Sequence, residues 1–160
     1  RLDVFIRSTN VEMVEAIQSV AWDAFMTRIG PIDSLNISLV ERPQRGSHTE
    51  PSLRLLLETK REFNCDGYDI LSRLRSEGNR LLLDLYGITM PPMICGQIVA
   101  PAMGSHQLQI PPGQYELIVS YGSISVLFTL ELTESSALLR GADSDLFAID
   151  RRPVRRVSRE

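Results

Sequence analysis

Two histidines stand in matching contexts, Gly46-Ser47-His48 and Gly104-Ser105-His106. Serine beside histidine sets a nucleophile next to a base. Working acyl-transfer sites, however, assemble these groups in space and need a third group to hold the imidazole. Neither serine occupies a G-x-S-x-G elbow, and both stretches read as polar turns. Cys65 and Cys95 are the only cysteines. With the two histidines they could make up a tetrahedral zinc set, but the spacing matches neither C-x-x-C nor H-E-x-x-H. They read as two buried or half-buried free thiols, a bridge being compatible only with an oxidising compartment. Asp66 with Asp69, or Asp143, Asp145 and Asp150, could hold the metals of a hydrolase. The first pair is better explained as the acidic start of a helix, the others as solvated loop acids. No phosphate-cradling G-x-x-x-x-G-K or G-x-G-x-x-G is present, and Lys60 is the only lysine. No catalytic residue, metal site or cofactor is called for.

The elements that would position these groups are mostly strands. Between residues 107 and 132, Tyr115, Leu117, Val119 and Tyr121 alternate on one face, as do Ile124, Val126, Phe128, Leu130 and Leu132 after Gly122-Ser123. That pattern predicts a hairpin with a type II′ turn. Further strands are expected at 2–7, 34–40, 52–60, 80–86, 94–99 and 146–150, with 80–86 central because its leucines run almost without interruption. Loops are expected at 41–51 and around 135–145. A long helix is expected from Thr9 or Asn10 to about Ile29, opened by the capping box Thr9/Glu12 and closed by Gly30-Pro31. A short helix is expected at 66–77, with Asp66 as its cap and Gly78 just past its end. The opening β-α-β-β-α-β succession suits a ferredoxin-like unit. A sandwich carrying one long helix is preferred, since the later strands are too amphipathic to stand without cover. The fold class is therefore α+β: a mostly antiparallel β-sandwich or sheet with one long N-terminal amphipathic helix packed on it and one short helix. Residues 1–150 are read as a single domain and 151–160 as a basic tail.

The 160 residues carry a net charge of −3. The last ten hold five arginines and one glutamate, or +4, which leaves −7 on the remainder. An acidic body is unfavourable for nucleic acid, whose phosphates need cations, although Arg151, Arg152, Arg155, Arg156 and Arg159 could touch it. No stretch approaches the ~20 apolar residues of a membrane span, and no signal peptide opens the chain. A cytoplasmic location follows as the expectation, with the reservation that the chain begins at Arg1 rather than Met. On the long helix, Trp22 and Met26 project among Glu15, Ser19 and Asp23 instead of joining the apolar stripe. An aromatic anchor ringed by carboxylates has the composition of an interface hot spot.

The run Ile110-Pro111-Pro112-Gly113-Gln114-Tyr115-Glu116-Leu117, with the closing ADSDLFAID of 142–150, resembles competence-associated nuclease inhibitors and related bacterial immunity proteins. The resemblance implies a small acidic protein that occludes a nuclease, and it carries over no functional residue. The expected function is non-enzymatic binding of a basic protein, with Glu15, Ser19, Trp22, Asp23 and Met26 as the contact residues. Two other classes are a regulatory domain of a larger protein and a carboxylate-based metal hydrolase. A cleft holding carboxylates clustered round a bound ion, or holding a histidine poised against a serine, would overturn the non-enzymatic reading.

Overall fold

Alternation of apolar and polar side chains continues well beyond the 107–132 hairpin, and the chain answers it with strands. The computed structural model describes residues 29–42, 52–89 and 98–157. They form β1 (Ile29–Gly30), β2 (Leu35–Arg42), β3 (Ser52–Phe63), β4 (Asp69–Glu77), β5 (Arg80–Thr89), β6 (Ala100–Gln107), β7 (Gly113–Tyr121), β8 (Ile124–Leu132), β9 (Ser136–Arg140), β10 (Phe147–Ile149) and β11 (Val154–Arg155). One sheet runs in the order β10-β2-β3-β6-β4-β5-β7-β8-β9-β11, with β1 paired to β5 beside that path. The pairs β10/β2, β4/β6 and β5/β7 are parallel, and the remaining neighbours are antiparallel.

One face of the sheet carries the core. Ile37 lies opposite Leu57, Leu81 opposite Leu117, Leu83 opposite Val119 and Leu130 opposite Leu139, and all are 1% exposed or less. Burying each such side chain is worth roughly 1.5–3 kcal/mol. A flat sheet would leave that face wet, so the sheet curls and its two ends approach each other. Glu41 on β2 meets Arg156, just past β11, at 3.6 Å. Tyr121 ties in the segment before β2, its hydroxyl accepting from the Ile32 amide at 3.0 Å.

The expected hairpin is present: β7 and β8 pair from Gly113/Leu132 to Tyr121/Ile124. Gly122 has φ +58° while, among the described residues, only glycines have positive φ, the signature of a type II′ link. The Pro111–Tyr115 corner is held by the Tyr115 hydroxyl, which donates to the Pro111 carbonyl at 2.6 Å.

The α+β expectation is corrected, because among the described residues there are strands and no helix. The short helix at 66–77 is β4. Its residues alternate, Ile70, Ser72 and Leu74 inward and Leu71, Arg73 and Arg75 outward, and Gly78-Asn79 turns the chain into β5. Gly78 satisfies a helix stop, but a Gly-Asn link between two alternating runs is equally a hairpin signal. Part of the loop expected near 135–145 is β9; of the strand expected at 94–99, 94–97 lie outside the described residues, Ile98 and Val99 are not strand, and β6 starts at Ala100. The long helix and the strand at 2–7 lie outside the described residues, apart from Ile29, which is strand.

Candidate functional site

Strand β6 sets out the surface of most interest. Ala102, at 0% exposure, faces the core, so Pro101, Met103 and Ser105 face outward. Register places Met103 directly between Glu58 of β3 and Asp69 of β4. Two residues back, Pro101 lies opposite Glu62, and the ridge continues into Val99 and Ile98, exposed by 58% and 61%. Among the described residues Glu58, Glu62, Asp66 and Asp69 form no salt bridge. The result is an exposed apolar ridge with unpaired carboxylates on both flanks. Beside Met103 a shallow groove of about 270 Å³ is lined by Val40, Arg54, Leu56, Asp69, Gly104 and Ser105. Arg54 is fixed there by donating to the Ser105 hydroxyl at 3.1 Å.

On the inward face behind this ridge, Ser72 Oγ and His106 Nε2 lie 2.6 Å apart. The serine that meets His106 is therefore not its neighbour Ser105, which points the other way. His106 lies opposite Leu55, and Ser72 opposite Leu85. Burial, helped by the positive charge of Arg54, pushes the His106 imidazole below its ordinary value. It is thus neutral at pH 7 and able to accept the Ser72 proton. No carboxylate among the described residues holds the other ring nitrogen. The pair spans a seam where β4 and β6 share only the Asp69/Met103 bridge. Gly104 keeps that seam tight, since a Cβ there would lie 3.1 Å from the Ile70 carbonyl oxygen.

Glu15, Ser19, Trp22, Asp23, Met26, Ser47, His48 and Cys95 lie outside the described residues. Cys65 is buried and disulfide-bonded, which corrects its reading as a free thiol; burial alone does not distinguish thiol from cystine. Asp66 lies in a bend and Asp69 opens a strand, so neither starts a helix. Asp143 pairs with Arg151 at 2.8 Å and accepts from the Ile149 amide at 3.1 Å. Asp150 pairs with Arg152, whose hydrogen bonds hold its carboxyl down at about 2. Asp145 is exposed. Among the described residues no three side chains able to hold a metal ion gather together.

Nor is the C-terminal stretch a free basic arm. Arg151, Arg152 and Arg156 pair with Asp143, Asp150 and Glu41, and β11 joins the sheet beside β9. Arg155 is exposed, and Arg159 lies outside the described residues. Among the described residues no helix is long and apolar enough to cross a membrane.

No protein-family model matches the chain, and no curated protein or solved structure is similar to it at a significant level. The site therefore has to be read from its own chemistry.

Proposed function

We propose that the protein is a non-enzymatic binding module for a basic protein, docking it on the β6 ridge. The observation that carries this reading is the row Glu58–Met103–Asp69, an exposed apolar side chain between two unpaired carboxylates. Carboxylates on the rim speed encounter with a cationic surface and select for it, while apolar anchors supply affinity. In its finer form, in line with the resemblance of the Pro111–Tyr115 corner, the partner is a bacterial nuclease and the module its inhibitor or immunity protein.

The test is cross-linked capture from native lysate, comparing the parent with Met103→Glu and with Arg140→Glu as a surface control. One stoichiometric basic protein, released by salt, retained by the control and lost with Met103→Glu, supports the proposal. Its nuclease activity, blocked by the parent protein, would support the finer form. Equal capture by all three proteins refutes the ridge as the docking face.

A second reading, acyl hydrolysis by Ser72 with His106 as base, is favoured by their 2.6 Å approach alone. Both side chains sit within strands on the inward face, and no carboxylate among the described residues orients the imidazole. Covalent labelling of Ser72 by a fluorophosphonate probe, abolished in His106→Ala, would move this reading ahead of the first.

The cystine at Cys65 supports a further part of this proposal, that the protein works in an oxidising compartment rather than the cytoplasm. Alkylation of protein taken directly from cells tests this. Thiols that react without prior reduction would refute it.

A further inference from the structure

Three features meet at the β4–β6 seam. Its backbone ladder is a single pair, Asp69/Met103. Beyond that pair the strands are joined by the Ser72–His106 hydrogen bond. They also approach closely at Gly104, which leaves no room for a side chain against Ile70. Elsewhere the sheet is laced more fully: β4 pairs with β5 along its whole length, and β6 with β3 through most of its own. The seam is therefore the place where one side-chain contact stands in for a ladder.

We infer that Ser72 and His106 form a pH-sensitive latch that holds β4 against β6 near neutrality and releases it in acid. The groups facing His106 account for the direction. From β3 comes Leu55 opposite it and, as its charged neighbour, Arg54; from β4, Ser72; from β5, Leu83 and Leu85 across from β4. Asp69 and Asp84 lie on the outer face, where Asp84 is already taken by Arg75 at 3.1 Å. The one inward carboxylate near this face among the described residues, Glu41 of β2 opposite Leu53, is taken by Arg156 at 3.6 Å; with the Arg54 cation nearby, a protonated His106 is therefore penalised in the closed seam. In an open seam it would be hydrated like any free imidazole. Protons bind the open form more tightly, so acid shifts the balance toward it. The hydrogen bond itself does not forbid protonation, since an imidazolium can donate to Ser72 Oγ; the cost lies in the charge.

The consequence for function rests on the ridge being the docking face. The sole ladder pair of the seam, Asp69/Met103, is also the centre of that ridge. Opening the seam would separate Asp69 from Met103 and Glu58, so the latch would make partner release acid-driven.

Amide hydrogen exchange, followed residue by residue at pH 7.5 and 5.0 and corrected for the intrinsic pH dependence, tests the latch. Protection of β4 and β6 should fall in acid relative to β7 and β8, by up to about tenfold for each unit that closure depresses the His106 pKa. His106→Gln, which keeps hydrogen-bonding capacity but cannot titrate, should abolish the acid effect. Ser72→Ala should loosen the seam at both pH values. A uniform loss of protection across the sheet, or an acid response retained in His106→Gln, overturns the latch. If β4 and β6 respond as expected while capture of the basic protein is the same at both pH values, the latch stands and the ridge reading fails.

Discussion

The curl of the sheet makes one ion pair unusually consequential. Glu41 on β2 and Arg156 past β11 join the two ends of the sheet at 3.6 Å, with side-chain exposures of 5% and 17%. At that distance, with an effective dielectric near 20, the gross attraction is about 4–5 kcal/mol. Desolvation offsets much of it, and Glu41 Oε2 and Arg156 Nε have no hydrogen-bond partner. Arg156 is partly compensated by a second contact, Nη1 donating to the Thr133 carbonyl at 3.0 Å. Removing one member should therefore be worse than removing both, because it strands a buried charge. Glu41→Met and Arg156→Met are each expected to cost roughly 2–3 kcal/mol, and the double variant no more than about 2 kcal/mol in all. For a chain of this size each single change should lower Tm by about 4–12 °C. Urea unfolding of the four proteins closes the cycle. Purely additive losses, or single losses below about 0.5 kcal/mol, would refute the view that this pair joins the two ends.

Other consequences are simpler to test. Gly141 has φ +140°, and a Cβ there would lie 2.7 Å from Phe128 Cδ1; Gly141→Ala should destabilise by roughly 2–3 kcal/mol in chemical denaturation. Phe128, 1% exposed, should cost about 3–5 kcal/mol on truncation to alanine, and a loss under 1 kcal/mol would contradict its core placement. Asp150 is held at about 2 when folded, by hydrogen bonds from Arg152, against roughly 3.9 in an unfolded chain. Its stabilising contribution is present above the higher value and should disappear as pH falls from about 4 to 2. Carboxyl NMR titration reads this directly, and Arg152→Gln should return Asp150 toward the ordinary range.

The strands were legible wherever alternation and turn chemistry agreed. Gly122-Ser123 between two alternating runs specified β7 and β8, and the leucines of 80–86 gave β5 its central place. β4 was misread because Asp66, Asp69 and Gly78 satisfy helix start and stop signals as well as they satisfy a bend and a hairpin turn. What decided the matter was non-local. Ile70, Ser72 and Leu74 had a partner face in Ile88, Leu85 and Leu83, and pairing overrides local preference. β9 was hidden for a related reason. Its alternation is carried by Ala137 and Leu139 alone, too short a run to register until β8 is laid beside it.

The candidate site was less legible, and the reason is register. Nothing in the sequence around Met103 distinguishes it from a core methionine until Ala102 is known to face inward and Glu58 and Asp69 to flank it. Likewise, Ser105 drew attention by being next to His106, yet adjacent residues in a strand point to opposite faces. That rule excludes the pairing only once 100–107 is known to be a strand, and Gly104-Ser105-His106 reads locally as a polar turn. Finding Ser72 required more: that β6 inserts between β3 and β4, so that residues 34 apart meet across a thin seam. The net acidity of the body was visible in the sequence, whereas the flanking of Met103 by Glu58 and Asp69 depended on which strands became neighbours. Because Met103 forms the one ladder pair of the β4–β6 seam, loosening that seam should be felt at Met103 before anywhere else.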